Sequence, residues 1–267
     1  MSIVVITIPG EDKNDFIHKL HQQTGGKIDL VIIQKTKPVS ILGRLYRFLT
    51  SLPVKDIPRE IWYSLLLRLN KKNIHALNYF RDIKAYPQDK TSSPRLKILE
   101  TDSVNSDEVY QTLKTLSPKV LAIWGSKMLE PRIIQTATKA INLHFGYCPY
   151  YRGAVANQHA VLCGDFEKIG ATIHYVNDKP DAGDILTTIR ADLNHPPKIL
   201  FQNLHHVAIN KYIEIISDLY LNKELIATPQ NISLSKNLLL KSWTPSKRYM
   251  VAKAITEWEK NYPLAHK

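Results

Sequence analysis

Five short runs of branched apolar residues, set apart by stretches of helical period, constrain this chain more than anything else in it. Residues 3–8 and 28–34 are rich in Val and Ile and too short to be buried helices. Between them Asp12–Gln23 has helical spacing and is stopped by Gly25-Gly26. The same rhythm returns at 97–99, 119–124 and 140–144, with a helix expected over Asp107–Leu116 and another opened by Pro131 at its first turn. Strands alternating with helices predict an α/β chain with a mostly parallel, twisted sheet and helices on both faces. Ligands of such sheets sit at the carboxyl ends of strands. No G-x-G-x-x-G follows the first run, which ends in Pro9-Gly10, so a dinucleotide cofactor is not indicated.

Beyond residue 150 the pattern changes. A helix is expected over Ala154–Cys163, strands over Gly170–Val176 and Asp184–Arg190 (the latter antiparallel), and a long amphipathic helix over Pro196–Tyr220. A strand-like piece at Leu238–Leu240 and a last helix over Pro245–Asn261 complete the chain. The reading is a catalytic domain over 1–190 and a small, mainly helical C-terminal extension over 191–267.

The chain has 267 residues, 44% of them hydrophobic, enough for a full core and too many for disorder. Met1–Ile6 reads as a first strand rather than a leader, and Cys148 and Cys163 form no disulfide framework, so a cytoplasmic location is expected. The net charge is +12 and uneven: Lys35–Lys97 holds 14 Lys and Arg against 4 Asp and Glu. This basic segment, centred on 37–81, reads as two or three helices broken at Pro53 and Pro58, followed by a polar loop over 88–94. It interleaves the cations with Ile41, Leu42, Leu45, Phe48, Leu49, Trp62 and Leu65–Leu67. Such a segment is either an insertion packed on its own core or a surface for phosphates or anionic lipid, which leaves peripheral membrane contact open.

Chemistry concentrates between Ile141 and Leu186. Asn142 and His144, two apart at a strand end, project to one face. Asn can donate to a developing oxyanion, and His can donate and exchange protons at neutral pH. Asp181, in Asp-x-Gly before a strand, can orient the imidazole or accept its proton. From spacing alone this could equally be a hydrogen-bonded turn. His174 reads as an inward strand residue and Cys148 as packing. No metal-ligand set is read, and none is called for.

The segment resembles the signature of the folate-dependent formyltransferase family, which includes the glycinamide ribonucleotide, methionyl-tRNA and sugar N-formyltransferases. The matching positions are Asn142, His144, Pro149, Tyr151, Arg152, Gly153, Ala160, Thr172, His174, Asp181, Gly183 and Ile185, with Ile123–Leu129 similar to a folate-contacting loop. The resemblance covers 120–186 well and the rest loosely. It implies a Rossmann-like formyltransferase fold and 10-formyltetrahydrofolate as cosubstrate. It also implies catalytic roles for Asn142, His144 and Asp181, and folate contacts from Trp124, Gly125, Ser126, Met128, Asn177 and Asp178. Tyr151, Arg152, Gly153 and Asn157 would meet the acceptor.

Three departures bear on that acceptor. No Pro follows Arg152-Gly153, the tail is too short for the β-barrel of the tRNA enzymes, and Glu11-Asp12 replace a Gly-rich phosphate loop. The sugar N-formyltransferases, associated with surface-polysaccharide (lipopolysaccharide) synthesis, are most similar, through the basic insertion and the Leu234-Ser235-Lys236 tail. They imply a nucleotide-linked amino sugar as partner, with nucleic acid not expected. A methionyl-tRNA formyltransferase variant and a non-catalytic surface-binding module stay open. So does a homodimer face on the 196–220 helix or the C-terminal pieces.

Overall fold

A computed structural model describes residues 2–36, 40, 42, 43, 46, 50–80 and 96–265. Seven strands form one sheet in the order β3-β2-β1-β4-β5-β7-β8: β1 (Ile3–Thr7), β2 (Ile28–Gln34), β3 (Ile98–Thr101), β4 (Val120–Trp124), β5 (Lys139–His144), β7 (Gly170–Tyr175) and β8 (Ile185–Arg190). The pairings from β3 to β5 are parallel; β7 is antiparallel to both β5 and β8. The α/β sheet with helices on its faces thus matches the expectation, including the antiparallel last strand.

Strand order reverses at β1, which pairs with β2 on one side and with β4 on the other. At such a point the connections leave the two strand ends in opposite directions and open a crevice. Alternation along each strand then sorts side chains between two cores. Ile3, Val5 and Trp124 pack against α1 (Glu11–Gln23) and α7 (Pro197–Tyr220). Val4, Ile6 and Ile123 pack against α4 (Asp107–Leu116) and α5 (Pro131–Ile134).

The helices of the basic segment are α2 (Ile57–Leu69) and α3 (Lys71–Asn78). Pro58 does not break a helix. It lies in the first turn of α2, where a missing N–H leaves no intrahelical bond unmade. Of the apolar residues read there, Ile41, Leu45, Phe48 and Leu49 lie outside the described residues, as does the 88–94 loop. Both helices pack on α8 (Pro245–Ala265), which runs four residues past its expected end. Tyr79, just after α3, donates to the Glu259 carboxylate at 2.9 Å, and the fully buried Glu60 accepts from Ser246.

The chain beyond residue 190 packs on the same sheet. α7 buries twelve residues in the main core, and the fully buried Tyr212 hydroxyl lies 2.9 and 3.0 Å from the carbonyls of Ile123 and Ile141, in β4 and β5. The tail also returns to the site. β9 (Lys236–Leu238) pairs in parallel with β6 (Tyr151–Gly153), ahead of α6 (Ala156–Leu162).

Candidate active site

Asn142 and His144 end β5, and antiparallel β7 lies beside them in a register that sets His174 opposite Asn142 and Thr172 opposite His144. The Asn177–Asp181 turn folds back over these strand ends. Asp181 adopts a left-handed conformation there, φ 46°, which non-glycine residues hold only when their surroundings fix them. Several contacts do so. Its carbonyl accepts from Gln230 at 3.2 Å, and Arg152 donates to the preceding Pro180 carbonyl at 3.0 Å. Gly183 follows because a Cβ there would stand 1.8 Å from the Tyr175 carbonyl oxygen.

The result is a four-residue cluster. The Asp181 carboxylate lies 3.4 Å from His144 Nδ1 through Oδ2 and 3.4 Å from His174 Nε2 through Oδ1. Asn142 Nδ2 donates to Oδ1 at 3.2 Å, and the Gly153 N–H donates to Oδ2 at 2.9 Å. Burial pushes the Asp181 carboxyl up, but the nearby His144 charge, the His174 contact and the Gly153 N–H outweigh it and hold the group well below the ordinary carboxylate range. Asp181 is therefore ionised across the physiological range.

Hydrogen-bond bookkeeping orders the rings. His144 Nε2 is 3.0 Å from the Tyr151 carbonyl, which can only accept. His174 Nδ1 is 2.7 Å from the Tyr175 carbonyl, and its Nε2 lies 3.2 Å from Asn142 Nδ2. His174 is the buried, inward strand residue expected, and it also contacts Asn142 and Asp181. Only the β5–β7 register reveals this.

Two cavities open on opposite faces of the sheet beside this cluster. The smaller, about 160 Å³, is lined by Asn142, His174 and Asp181 together with Ser126, Met128 and Asn177. The larger, about 470 Å³, lies at the β1/β4 switch point and is lined by Asp12, Lys13, Trp124, Phe145 and His205 among others. Trp124, expected beside the folate-type loop residues, faces this second cavity, and Asp178 is exposed outside both. Gly125 carries the chain between the two faces at φ 85°.

The larger cavity mixes aromatic walls with charge. Lys13 Nζ stands 3.5 Å over the Trp124 ring and pairs with Asp12. His205 stacks on Phe145, with centroids 5.0 Å apart, and neither of its ring nitrogens has a hydrogen-bond partner among the described residues. Burial, with Lys13 beside it, pushes His205 down to about 3, so the ring is neutral. Nothing in the sequence singled out Lys13, Phe145 or His205, the last in a helix that reads as core.

Three residues expected to meet the acceptor also bond to protein groups, and one of them, Asn157, lines the larger cavity. Tyr151 donates to Asp165 at 2.5 Å, Arg152 donates to Ser235 at 2.6 Å as well as to Pro180, and Asn157 bonds both the N–H and the carbonyl of Gly170 at 3.0 Å. They hold the loops that shape the site. Gly153, the fourth, reaches Asp181 through its N–H. Cys148 is buried beside Asp181, and burial pushes its thiol up to about 12, so it offers no thiolate nucleophile.

Comparison with known proteins bears on what such a site does. A formyl transferase family model matches residues 1–216. A methionyl-tRNA formyltransferase of a Nitratiruptor species is 34% identical over 115 residues, which is 42% of this chain and 38% of that protein. The chain thus matches well under half of that relative's length. Among solved structures, a sugar N-formyltransferase from Shewanella sp FDAARGOS_354 superposes with a TM-score of 0.56 at 11% identity, over 96% of this chain and 88% of that one. WlaRD, a sugar 3N-formyl transferase whose structure was determined in the presence of dTDP and 5-N-formyl-THF, gives 0.53 at 15% identity, over 91% and 71%. At those identities the likeness is one of fold.

Proposed function

The chain belongs to the formyl transferase family, and from that premise we propose that it transfers a formyl group from 10-formyltetrahydrofolate to the amine of a nucleotide-linked amino sugar. One observation carries the reading: Asn142 and Asp181, which contact each other and, through Asp181, His144, line one cavity at the strand ends, and a second cavity opens at Trp124 and Phe145, next to His144 in the chain. A two-substrate transfer needs its donor and acceptor to meet at one polar point.

In this reading the pterin end of the folate takes the smaller cavity, against Ser126, Met128 and Asn177, with Gly125 behind them. The acceptor takes the larger one. Its nucleotide suits the aromatic wall of Trp124 and Phe145, and Lys13 suits its pyrophosphate. The neutral amine attacks the formyl carbon, forming the new C–N bond while the carbonyl electrons move to oxygen. Asn142 and His144 stabilise that oxyanion, for which each exchanges the contact it makes to Asp181. As the intermediate collapses, the bond from the formyl carbon to N10 of the folate breaks. The proton shed by the amine reaches N10 by way of His144 and Asp181.

The methionyl-tRNA relatives support a second reading, formylation of an aminoacyl-tRNA, for which the basic segment would supply phosphate contacts. Ligand-dependent melting tests the first reading. 10-Formyltetrahydrofolate and dTDP or UDP, added separately, should each raise the melting temperature, and together they should raise it further, since two cavities bind independently. A shift with NAD in place of folate, or mutual exclusion of folate and nucleotide, contradicts the assignment.

A further inference from the structure

Helix α2 shows its apolar side to solvent and its carboxylate to the protein. Glu60 is fully buried, accepting from the Ser246 backbone N–H at 2.8 Å and its hydroxyl at 2.7 Å, while Leu67 is buried on the same side. Ile61, Trp62, Leu65 and Leu69 are 54%, 57%, 46% and 72% exposed. At about 100° of turn per residue these four fall within a single arc of about 100°, opposite Glu60 and Leu67. Arg59 and Arg68, both exposed, border the arc on its two sides. A surface helix ordinarily turns such a stripe inward, so an outward one marks a contact with something else.

Charge narrows what that something is. Lys55, Lys71 and Lys72 flank the helix ends and are exposed, and no Asp or Glu occurs between Lys35 and Lys55. Among the described residues from Lys35 to Phe80 only Asp56 and Glu60 carry negative charge, and both contact Arg59, at 3.2 and 3.1 Å. A second copy of this chain would set the same cations against themselves across a twofold axis, on a protein already at +12. Nucleic acid would want flat stacking platforms, and of the four exposed side chains three are aliphatic. Aliphatic residues with one Trp, bordered by Arg whose apolar stems can lie along the stripe, fit the boundary between acyl chains and anionic headgroups.

We propose that α2 seats the protein on an anionic lipid surface, with Ile61, Trp62, Leu65 and Leu69 entering the headgroup boundary and Arg59, Arg68 and the neighbouring lysines meeting lipid phosphates. The mode is peripheral: no described helix is long and apolar enough to cross a membrane. Flotation of the full chain with phosphatidylcholine vesicles, with and without phosphatidylglycerol, tests this. The wild-type protein should float with the phosphatidylglycerol vesicles at low salt, be released by high salt and ignore pure phosphatidylcholine. The exposed-site double variant Trp62→Gln/Leu65→Gln should lose binding by about 10-fold or more with an unchanged melting temperature. Arg68→Gln/Lys72→Gln should weaken binding to the anionic vesicles and so decides the matter independently if the first variant misfolds. No flotation, equal flotation with pure phosphatidylcholine, or wild-type binding by both variants overturns the proposal. Stripe-dependent binding to polyglutamate without binding to vesicles would overturn it too, in favour of an acidic protein partner.

Discussion

Asp181 is the residue on which the site closes. Its carboxylate meets two imidazoles, an amide and a backbone N–H, so it is held ionised and holds the others in turn. Asn142→Ala removes the amide facing the developing oxyanion while leaving Asp181 its Gly153 and histidine partners. Turnover should fall about 10²–10³-fold with the fold intact, as circular dichroism and a folate-binding titration would check. Gly146→Ala probes the same geometry from behind. An added Cβ would stand 2.2 Å from His144 Nε2 and 2.6 Å from the Tyr151 carbonyl, so the ring must move; kcat should collapse although no reacting group is removed. Strand alternation set Asn142 and His144 on one face and Asp-x-Gly marked a tight return, while their pairing with Asp181 as a site rested on the family resemblance. His174 was not legible as part of it. It enters the site only because β7 runs antiparallel to β5 in the register that sets it against Asn142, and register is a long-range property that local pattern does not encode.

Elements explain why other expectations shifted. Tyr151-Arg152-Gly153, expected beside the acceptor, form β6, which pairs with β9 from the far end of the chain, and Asp165 and Ser235 bond the side chains of Tyr151 and Arg152. The helix over 197–220 was legible in its extent but not in its place, since an amphipathic stripe reads alike whether it covers the main sheet or begins an appendage. Tyr212 ties it down by lying 2.9 Å from the Ile123 carbonyl and 3.0 Å from that of Ile141, at the switch between the cavities. Tyr212→Phe leaves these buried carbonyls without that donor and should lower stability by about 1–2 kcal/mol, read by chemical denaturation at constant m-value. Substrate affinities should change less than stability does.

At the scale of the whole molecule, buried histidine gives stability a pH dependence of fixed sign. His205 stays neutral in the fold because burial holds it at about 3, whereas the unfolded chain protonates it near its ordinary 6.5. Between those values the unfolded state binds more protons, so stability falls as pH falls. Going from pH 6.5 to about pH 5, this one group removes about 2 kcal/mol. Asp181, held low, adds a loss of the same sign at more acid pH, below the ordinary carboxylate range. His205→Phe should flatten the melting-temperature profile over the first interval and leave the second; an unchanged slope would place the titration elsewhere. The α/β class, the two-sided sheet and the strand ends that carry the site were legible from the spacing of apolar runs. The larger cavity was not, because Asp12, Trp124 and His205 come from three distant elements that only the fold brings together.

The most direct test of the central reading is an acceptor panel. The protein is incubated with 10-formyltetrahydrofolate and either dTDP- and UDP-linked amino sugars or charged initiator tRNA, and products are followed by mass spectrometry. The account predicts a formamide on at least one nucleotide sugar, unformylated tRNA, and loss of product with Asn142→Ala. Formylated tRNA with every amino sugar unreacted, or full turnover by Asn142→Ala, would contradict it.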